Sequence, residues 1–172
     1  RTLHIDPNDL SSIYAGFQGG FAKSVDSGET WSRLSSFLDN YCVWKIAIDP
    51  KNSDNIYVGT GAPTRAFAAR STDGGRTFKR LSLSFPERCP GVSRPRLLAM
   101  AVDPVETNNI WAGAEEGGLY HSSDNGETWR RVDTEIHGKV SMSSDIHDVI
   151  VVPGSPKRII VSTVLAIHIS ED

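Results

Sequence analysis

The chain carries 172 residues, with 18 Lys and Arg against 21 Asp and Glu for a formal net charge of -3. That near balance gives no reason to expect nucleic acid or an acidic membrane surface as partner, and no apolar run reaches the roughly 20 residues of a membrane-spanning helix. Fifteen glycines and nine prolines suit a turn-rich chain, two cysteines are too few for a disulfide framework, and no stretch keeps a helical apolar period.

From the N-terminus, Asp6-Pro7 punctuates the start and Ser12-Ile13-Tyr14-Ala15-Gly16-Phe17 reads as a strand. The octapeptide Ser24-Val25-Asp26-Ser27-Gly28-Glu29-Thr30-Trp31 follows. The order then repeats. Residues 43–48 are an apolar run of strand length, followed by Asp49-Pro50, by Asn55-Ile56-Tyr57-Val58-Gly59-Thr60, and by Ser71-Thr72-Asp73-Gly74-Gly75-Arg76-Thr77-Phe78. A third round comprises residues 97–102, Asp103-Pro104, Asn109-Ile110-Trp111-Ala112-Gly113-Ala114 and Ser122-Ser123-Asp124-Asn125-Gly126-Glu127-Thr128-Trp129. The fourth has residues 146–152, Val152-Pro153 in place of Asp-Pro, Arg158-Ile159-Ile160-Val161-Ser162-Thr163, and Ser170-Glu171-Asp172, the opening of another octapeptide. The octapeptide aspartates lie 47, 51 and 48 residues apart, which marks a repeat of that length.

Each part of the octapeptide has a physical task. The carboxylates of Asp26, Asp73 and Asp124 can accept hydrogen bonds from backbone N–H groups just ahead and close a tight turn. Gly28, Gly75 and Gly126 suit a position with φ > 0. Thr30, Thr77 and Thr128 then open a strand in which Trp31, Phe78 and Trp129 are expected to turn inward as equivalent buried plugs. Proline cannot continue a ladder, so the Asp-Pro steps end one strand and begin a turn. One unit therefore reads as four short antiparallel strands, the signature of a β-propeller blade. The expected fold is an all-β propeller of about four blades, spanning approximately 1–38, 39–84, 96–135 and 145–172.

The octapeptide resembles the Asp-box, or BNR repeat, and the surrounding pattern resembles Asp-box propellers over essentially the whole chain. That superfamily includes sialidases, xyloglucan-cleaving glucanases, the sortilin receptor propeller, photosystem assembly factors and bacterial propellers described as glycosyl-hydrolase-like. The resemblance implies that the Ser, Asp, Gly, Thr and aromatic residues of each box are structural, on the blade rim and away from any ligand. It also implies a glycan among the ligand classes.

The first and last blades are expected to be incomplete. Aligned on the prolines, Cys42 of the second blade matches a residue that would precede Arg1, so the first inner strand is short; the last blade stops at its Asp-box. An unpaired blade edge leaves open backbone and apolar groups. The expectation is a segment of a longer propeller of six to eight blades, or a chain that completes its ring with another copy. Cys42 and Cys89 stand where neighbouring blades meet, and either a disulfide or two free thiols is compatible with that.

Ligand sites in propellers usually lie at the channel mouth, where inner strands begin. Two connections are longer than the repeat needs, residues 82–96 and 133–145. They carry Arg88, Arg94 and Arg96, then Glu135, His137, Lys139 and Asp145, with His147 and Asp148 just beyond. Lys45, Ala99 and Asp148 share one register, a varied and water-facing position. The expected ligand set is Lys45, Arg94, Arg96, Asp145 and His147, since guanidinium groups hold anions bidentately. Asp145, His147 and Asp148 are the catalytic candidates, because a histidine between carboxylates can act as general base or proton shuttle. Strand alternation would set Asp145 and His147 on one face and Asp148 on the other. The competing reading has His147 packed between blades and Asp148 paired with Lys45.

Two ligands on one strand face do not make a metal site, and no cofactor motif occurs. The resemblance to sialidases would imply three arginines, an Arg-Ile-Pro motif and a Tyr-Glu nucleophile pair, but no Arg-Ile-Pro occurs, Ser93-Arg94-Pro95-Arg96 being the nearest string, and no Tyr-Glu pair can be placed. Trp44 and Trp111 occupy strand positions filled elsewhere by aliphatic residues or tyrosine, so core packing is expected for both. His4, His121 and His168 read as strand residues. Two function classes result. One is a binding or scaffold propeller that presents a polar small molecule, glycan or protein to its mouth. The other is a glycosidase-type hydrolase with carboxylates partly outside these residues.

Overall fold

The computed structural model describes residues 1–84, 95–115, 117–132, 145–155 and 157–170. Among these described residues fifteen strands form four antiparallel sheets, each in sequential order. The first holds β1 (Thr2–Asp6), β2 (Asp9–Phe17), β3 (Gly20–Ser24) and β4 (Ser32–Arg33). The second holds β5 (Cys42–Asp49), β6 (Asn52–Gly61), β7 (Ala68–Ser71) and β8 (Lys79–Arg80). The third holds β9 (Leu97–Val102), β10 (Ile110–Ala114), β11 (Gly118–Ser122) and β12 (Arg130–Arg131), and the fourth β13 (Ile146–Val152), β14 (Arg158–Thr163) and β15 (Ile167–Ser170). The single helical element among the described residues is the 3-10 turn Ser36–Leu38, capped where Ser35 accepts from Phe37 N–H. β1 has five residues against eight in β5, so the first inner strand is short as expected, although its sheet has four strands.

Successive sheets pack face to face through three apolar clusters. Tyr14 and Phe21 of the first sheet meet Val43, Ile46, Ile48, Ile56 and Val58 of the second. Ala47, Tyr57 and Ala68 of the second meet Leu97, Met100, Ile110 and Ala112 of the third, and Ala99 and Leu119 meet Ile146, Val149, Val151, Ile159 and Val161 of the fourth. Each fully buried aliphatic side chain contributes about 1.5–3 kcal/mol. Close approach depends on two glycines in particular: a methyl at Gly59 or Gly113 would overlap Leu97 or Ile146 of the next sheet.

The Asp-boxes share one hydrogen-bond pattern. The hydroxyls of Ser24, Ser71 and Ser122 donate to Asp26, Asp73 and Asp124 at 2.7 Å and accept from the N–H of Gly28, Gly75 and Gly126 at 2.8 Å. Each carboxylate also receives the backbone N–H and the hydroxyl of Thr30, Thr77 or Thr128. These donors, the threonine hydroxyl foremost, hold all three carboxyls down to about 2. Gly28, Gly75 and Gly126 have φ of 98°, 91° and 89°, as their place in the turn requires.

The aromatic plug is corrected by the structure. Trp31 is 43% exposed, and Phe78 and Trp129 are only half-buried. The indoles bend back over their own turns, Trp31 Nε1 donating to Gly28 O and Trp129 Nε1 to Gly126 O. Phe78 and Trp129 instead serve the preceding sheet. Phe78 lies edge-on to Phe21 at 5.4 Å, and Trp129 packs on the cluster holding Leu81 and Tyr57. The last Asp-box, Glu171 and Asp172, lies outside the described residues.

Candidate functional site

The first strand of each sheet packs against the first strand of the next, so β1, β5, β9 and β13 are the inner strands. Their far ends are the Asp-Pro turns. Asp6, Asp49 and Asp103 are nearly fully buried there and accept the N–H of Asn8, Lys51 and Val105. The turns are also tied between sheets, Ser53 Oγ donating to Asp6 at 2.6 Å and Lys157 pairing with Asp103 at 2.6 Å. Lys157 and the turn N–H groups outweigh burial and lower the Asp103 carboxyl, and Asp103 with Glu106 raises Lys157.

The opposite ends are the entry ends of the inner strands, where the sequence places the expected mouth, and each of three inner strands carries an extra residue there at one register. Val43↔Thr60 is followed by Lys45↔Gly59, Leu97↔Ala114 by Ala99↔Gly113, and Ile146↔Thr163 by Asp148↔Ser162. These are β-bulges, which re-aim a side chain. Val43, Leu97 and Ile146 are fully buried. The next residues, Trp44, Leu98 and His147, are freed from the core and are half-buried, half-buried and exposed respectively. Simple alternation over residues 145–148 is therefore corrected, because the bulge interrupts it at His147.

Two ion pairs cross between sheets or loops at this end. Lys45 Nζ of the second sheet meets Asp148 Oδ1 of the fourth at 2.7 Å. Arg96, bridged to Gly61 just before β9, donates from Nε to Glu115 Oε2 at 2.7 Å and from its terminal nitrogen to Glu115 Oε1. The hydrogen bond Arg96 donates to Glu115, aided by the charges of Glu115 and Asp145, raises the guanidinium. Trp44 is a correction to its expected core role. Its Nε1 donates to Ala62 O at 2.8 Å, and the guanidiniums of Arg1 and Arg96 lie 4.4 and 4.9 Å from its ring.

The structure thus joins Lys45 to Asp148 near the start of β13 and Arg96 to Glu115, with the Asp145 charge also felt at Arg96. His147 stands exposed between Asp145 and Asp148 in the chain. Arg88, Cys89, Arg94, Glu135, His137 and Lys139 lie outside the described residues. Cys42 is buried with a free thiol. Trp111 packs against the cluster between the third and fourth sheets and stacks on His121 at 4.3 Å. His4 and His121 are held below the ordinary histidine range by burial, helped by Lys45 and by Arg130 with Lys157 respectively. His168 is half-buried in β15 opposite Val161. Arg1, Trp44 and Glu115 are mouth residues that sequence reasoning missed. The signal for Trp44 was its alignment with His147, each two residues past the equivalent positions Cys42 and Asp145.

Among the described residues no group of three or more His, Cys, Asp or Glu could hold a metal ion, and no helix is long and apolar enough to cross a membrane. A family model described as Sortilin, neurotensin receptor 3 (Sortilin-Vps10) matches residues 20–163. The chain is 27% identical over 136 residues to an oligoxyloglucan-reducing end-specific xyloglucanase of Emericella nidulans, covering 73% of the chain and 17% of that protein. It is 33% identical over 137 residues to xyloglucanase Xgh74A of Acetivibrio thermocellus, covering 71% and 16%. It spans about a sixth of the length of these curated relatives. The GH74 xyloglucanase from Xanthomonas campestris superposes with a TM-score of 0.71 at 23% identity, covering 99% of the chain and 28% of that structure. YCF48 from Cyanidioschyzon merolae superposes with a TM-score of 0.59 at 21% identity, covering 94% and 49%. Likeness at this identity establishes the fold, a β-propeller.

Proposed function

Because the chain belongs to the Sortilin-Vps10 family of propellers, we propose that it is a binding module whose mouth takes a neutral glycan. The observation that carries this reading is the mutual compensation of charge at the bulged ends. Arg1, Lys45 and Arg96 are matched by Glu115, Asp145 and Asp148, two of the pairs in direct contact. Such a surface offers oriented donors and acceptors with little net field. It suits the hydroxyls of an uncharged sugar better than a carboxylate or phosphate, which would compete for guanidiniums already engaged. Two relatives are xyloglucanases by name, which supports a glycan as the ligand class.

The mouth would work by positioning. Lys45 and Asp148 hold each other, leaving the remaining lone pairs of Asp148 and protons of Lys45 to a ligand. His147, exposed on its bulge, adds a donor or acceptor beside them. A second reading, glycosidase-type hydrolysis, draws on the same relatives. It needs two carboxylates in contrasting environments, one kept protonated. The described mouth carboxylates Glu115, Asp145 and Asp148 each face a cation, so part of that pair would come from outside the described residues.

Titration calorimetry with a xyloglucan oligosaccharide and with sialyllactose tests the proposal. Binding of the neutral sugar, weakened in Asp145→Ala/His147→Ala, is expected. Preference for the sialylated sugar, or unchanged affinity in the double variant, would overturn it. Turnover of a chromogenic glucoside would favour the second reading.

A further inference from the structure

The second and third sheets reach the mouth with the same backbone and different side chains. In the second, Cys42 opens β5 opposite Gly61. Gly59 and Gly113 hold one register, so Glu115 stands in the third sheet where Gly61 stands in the second, and Arg96 where Cys42 does. The second sheet forms with no charge at either position. The blade therefore requires neither Arg96 nor Glu115.

Burial of the pair also works against folding. The Glu115 side chain is 8% exposed, and the attraction of a cation often does not offset the water a carboxylate loses. What the pair achieves is to fix and occupy a guanidinium. The Arg96 backbone bridges Gly61, where any side chain would overlap its Cα, and accepts the N–H of Glu115 at 2.9 Å. The guanidinium lies 4.9 Å from the Trp44 ring, whose Nε1 is held by Ala62 O at 2.8 Å. Glu115 takes the edge formed by Nε and one terminal nitrogen, a fork of the kind that grips a carboxylate through two parallel bonds. Lys45 and Asp148 make a different pair. An ammonium has no fork, and the two side chains are 25% and 49% exposed.

We propose, resting on the reading of the mouth as a glycan site, that Glu115 sets its specificity by occupying Arg96, so that acidic sugars are refused. Such discrimination needs a repulsive element against the wrong ligand. An incoming carboxylate must displace Glu115 or lie beside it, and the charge of Asp145 acts on the same guanidinium.

Titration calorimetry with sialyllactose and a neutral xyloglucan oligosaccharide reads the outcome. Glu115→Gln keeps the size of the side chain and an acceptor for Arg96 while removing the charge. Affinity for sialyllactose relative to the neutral sugar should rise about 10-fold or more, and the gain should shrink with salt. Adding Arg96→Gln should erase the gain, and Glu115→Asp, which keeps the charge, should keep the wild-type preference. Glu127→Gln makes the same charge change beside Lys79 on the outer strand β8 and should not alter the preference. No gain in a folded Glu115→Gln chain would overturn the proposal, as would a gain that survives Arg96→Gln or appears equally in Glu127→Gln. A measurement on the wild-type chain stands in if Glu115→Gln does not fold: methyl esterification of the sialyllactose carboxylate should raise affinity, and a fall would overturn the proposal. A wild-type chain that binds no neutral sugar refutes the glycan reading, whereas neutral binding with no shift in preference removes the role of Glu115 alone.

Discussion

Lys45 and Asp148 stand 103 residues apart in the chain, in sheets that are not neighbours, and their side chains meet at 2.7 Å. The sheet between them contributes Ala99 at the same register, fully buried and too short to intervene. A small residue in the third sheet is therefore part of the geometry that lets the second and fourth sheets touch.

The pair is partly exposed, 25% for Lys45 and 49% for Asp148, so its direct contribution should be small. A double-mutant cycle with Lys45→Met and Asp148→Asn is expected to give a coupling of about 0.5–1 kcal/mol that shrinks with salt. Ala99→Leu should abolish the coupling by filling the gap. Denaturant titration of the variants measures both.

Gly113→Ala drives a methyl into Ile146 of the next sheet and should destabilise by about 1–3 kcal/mol. Ile146→Ala in the same chain should recover part of the loss by making room. If the double variant is no more stable than the sum of the singles predicts, the close approach is not the cause.

The two Asp-box tryptophans should respond unequally. Trp129→Ala removes an indole packed on Leu81 and should cost more, about 2–4 kcal/mol, than Trp31→Ala, which strips an exposed ring and a bond to Gly28 O. Thermal unfolding gives the comparison.

Acid should act in two stages. His4 and His121 lie below 6.5 in the folded chain, so the fold binds fewer protons than the unfolded chain and stability is lost as pH falls below about 6.5. The Asp-box carboxyls have folded values of about 2 against an ordinary 3.8. Their contribution is complete above about 4 and disappears as pH drops through 2. Unfolding midpoints at pH 7, 5, 4 and 2.5 should show both declines. Asn at positions 26, 73 and 124 should lower the midpoint at pH 7 and flatten the second decline.

The repeat was legible because turns and strand pairing are local: Asp-box donors and acceptors lie within a few residues, and Asp-Pro steps mark strand ends. The Lys45, Ala99 and Asp148 register was legible for the same reason, counted back from proline, but its reading as water-facing fails at Ala99, which the neighbouring sheets bury completely. The bulge was not. It inserts one residue without any glycine or proline to announce it, and so Trp44 was read as core when it faces Arg1 and Arg96. Burial of Trp31 also escaped local reading, since it depends on a neighbouring sheet and not on its own turn.

The bulge has a further consequence for how such chains diverge. Val43, Leu97 and Ile146 keep the sheets in contact, while the position immediately after each is released from that duty, and it holds Trp, Leu and His in successive repeats. Each duplicated unit thereby contains one letter that drift can rewrite alone. A lineage can acquire a new recognition surface by single replacements, repeat by repeat, while the scaffold beneath stays under its old selection.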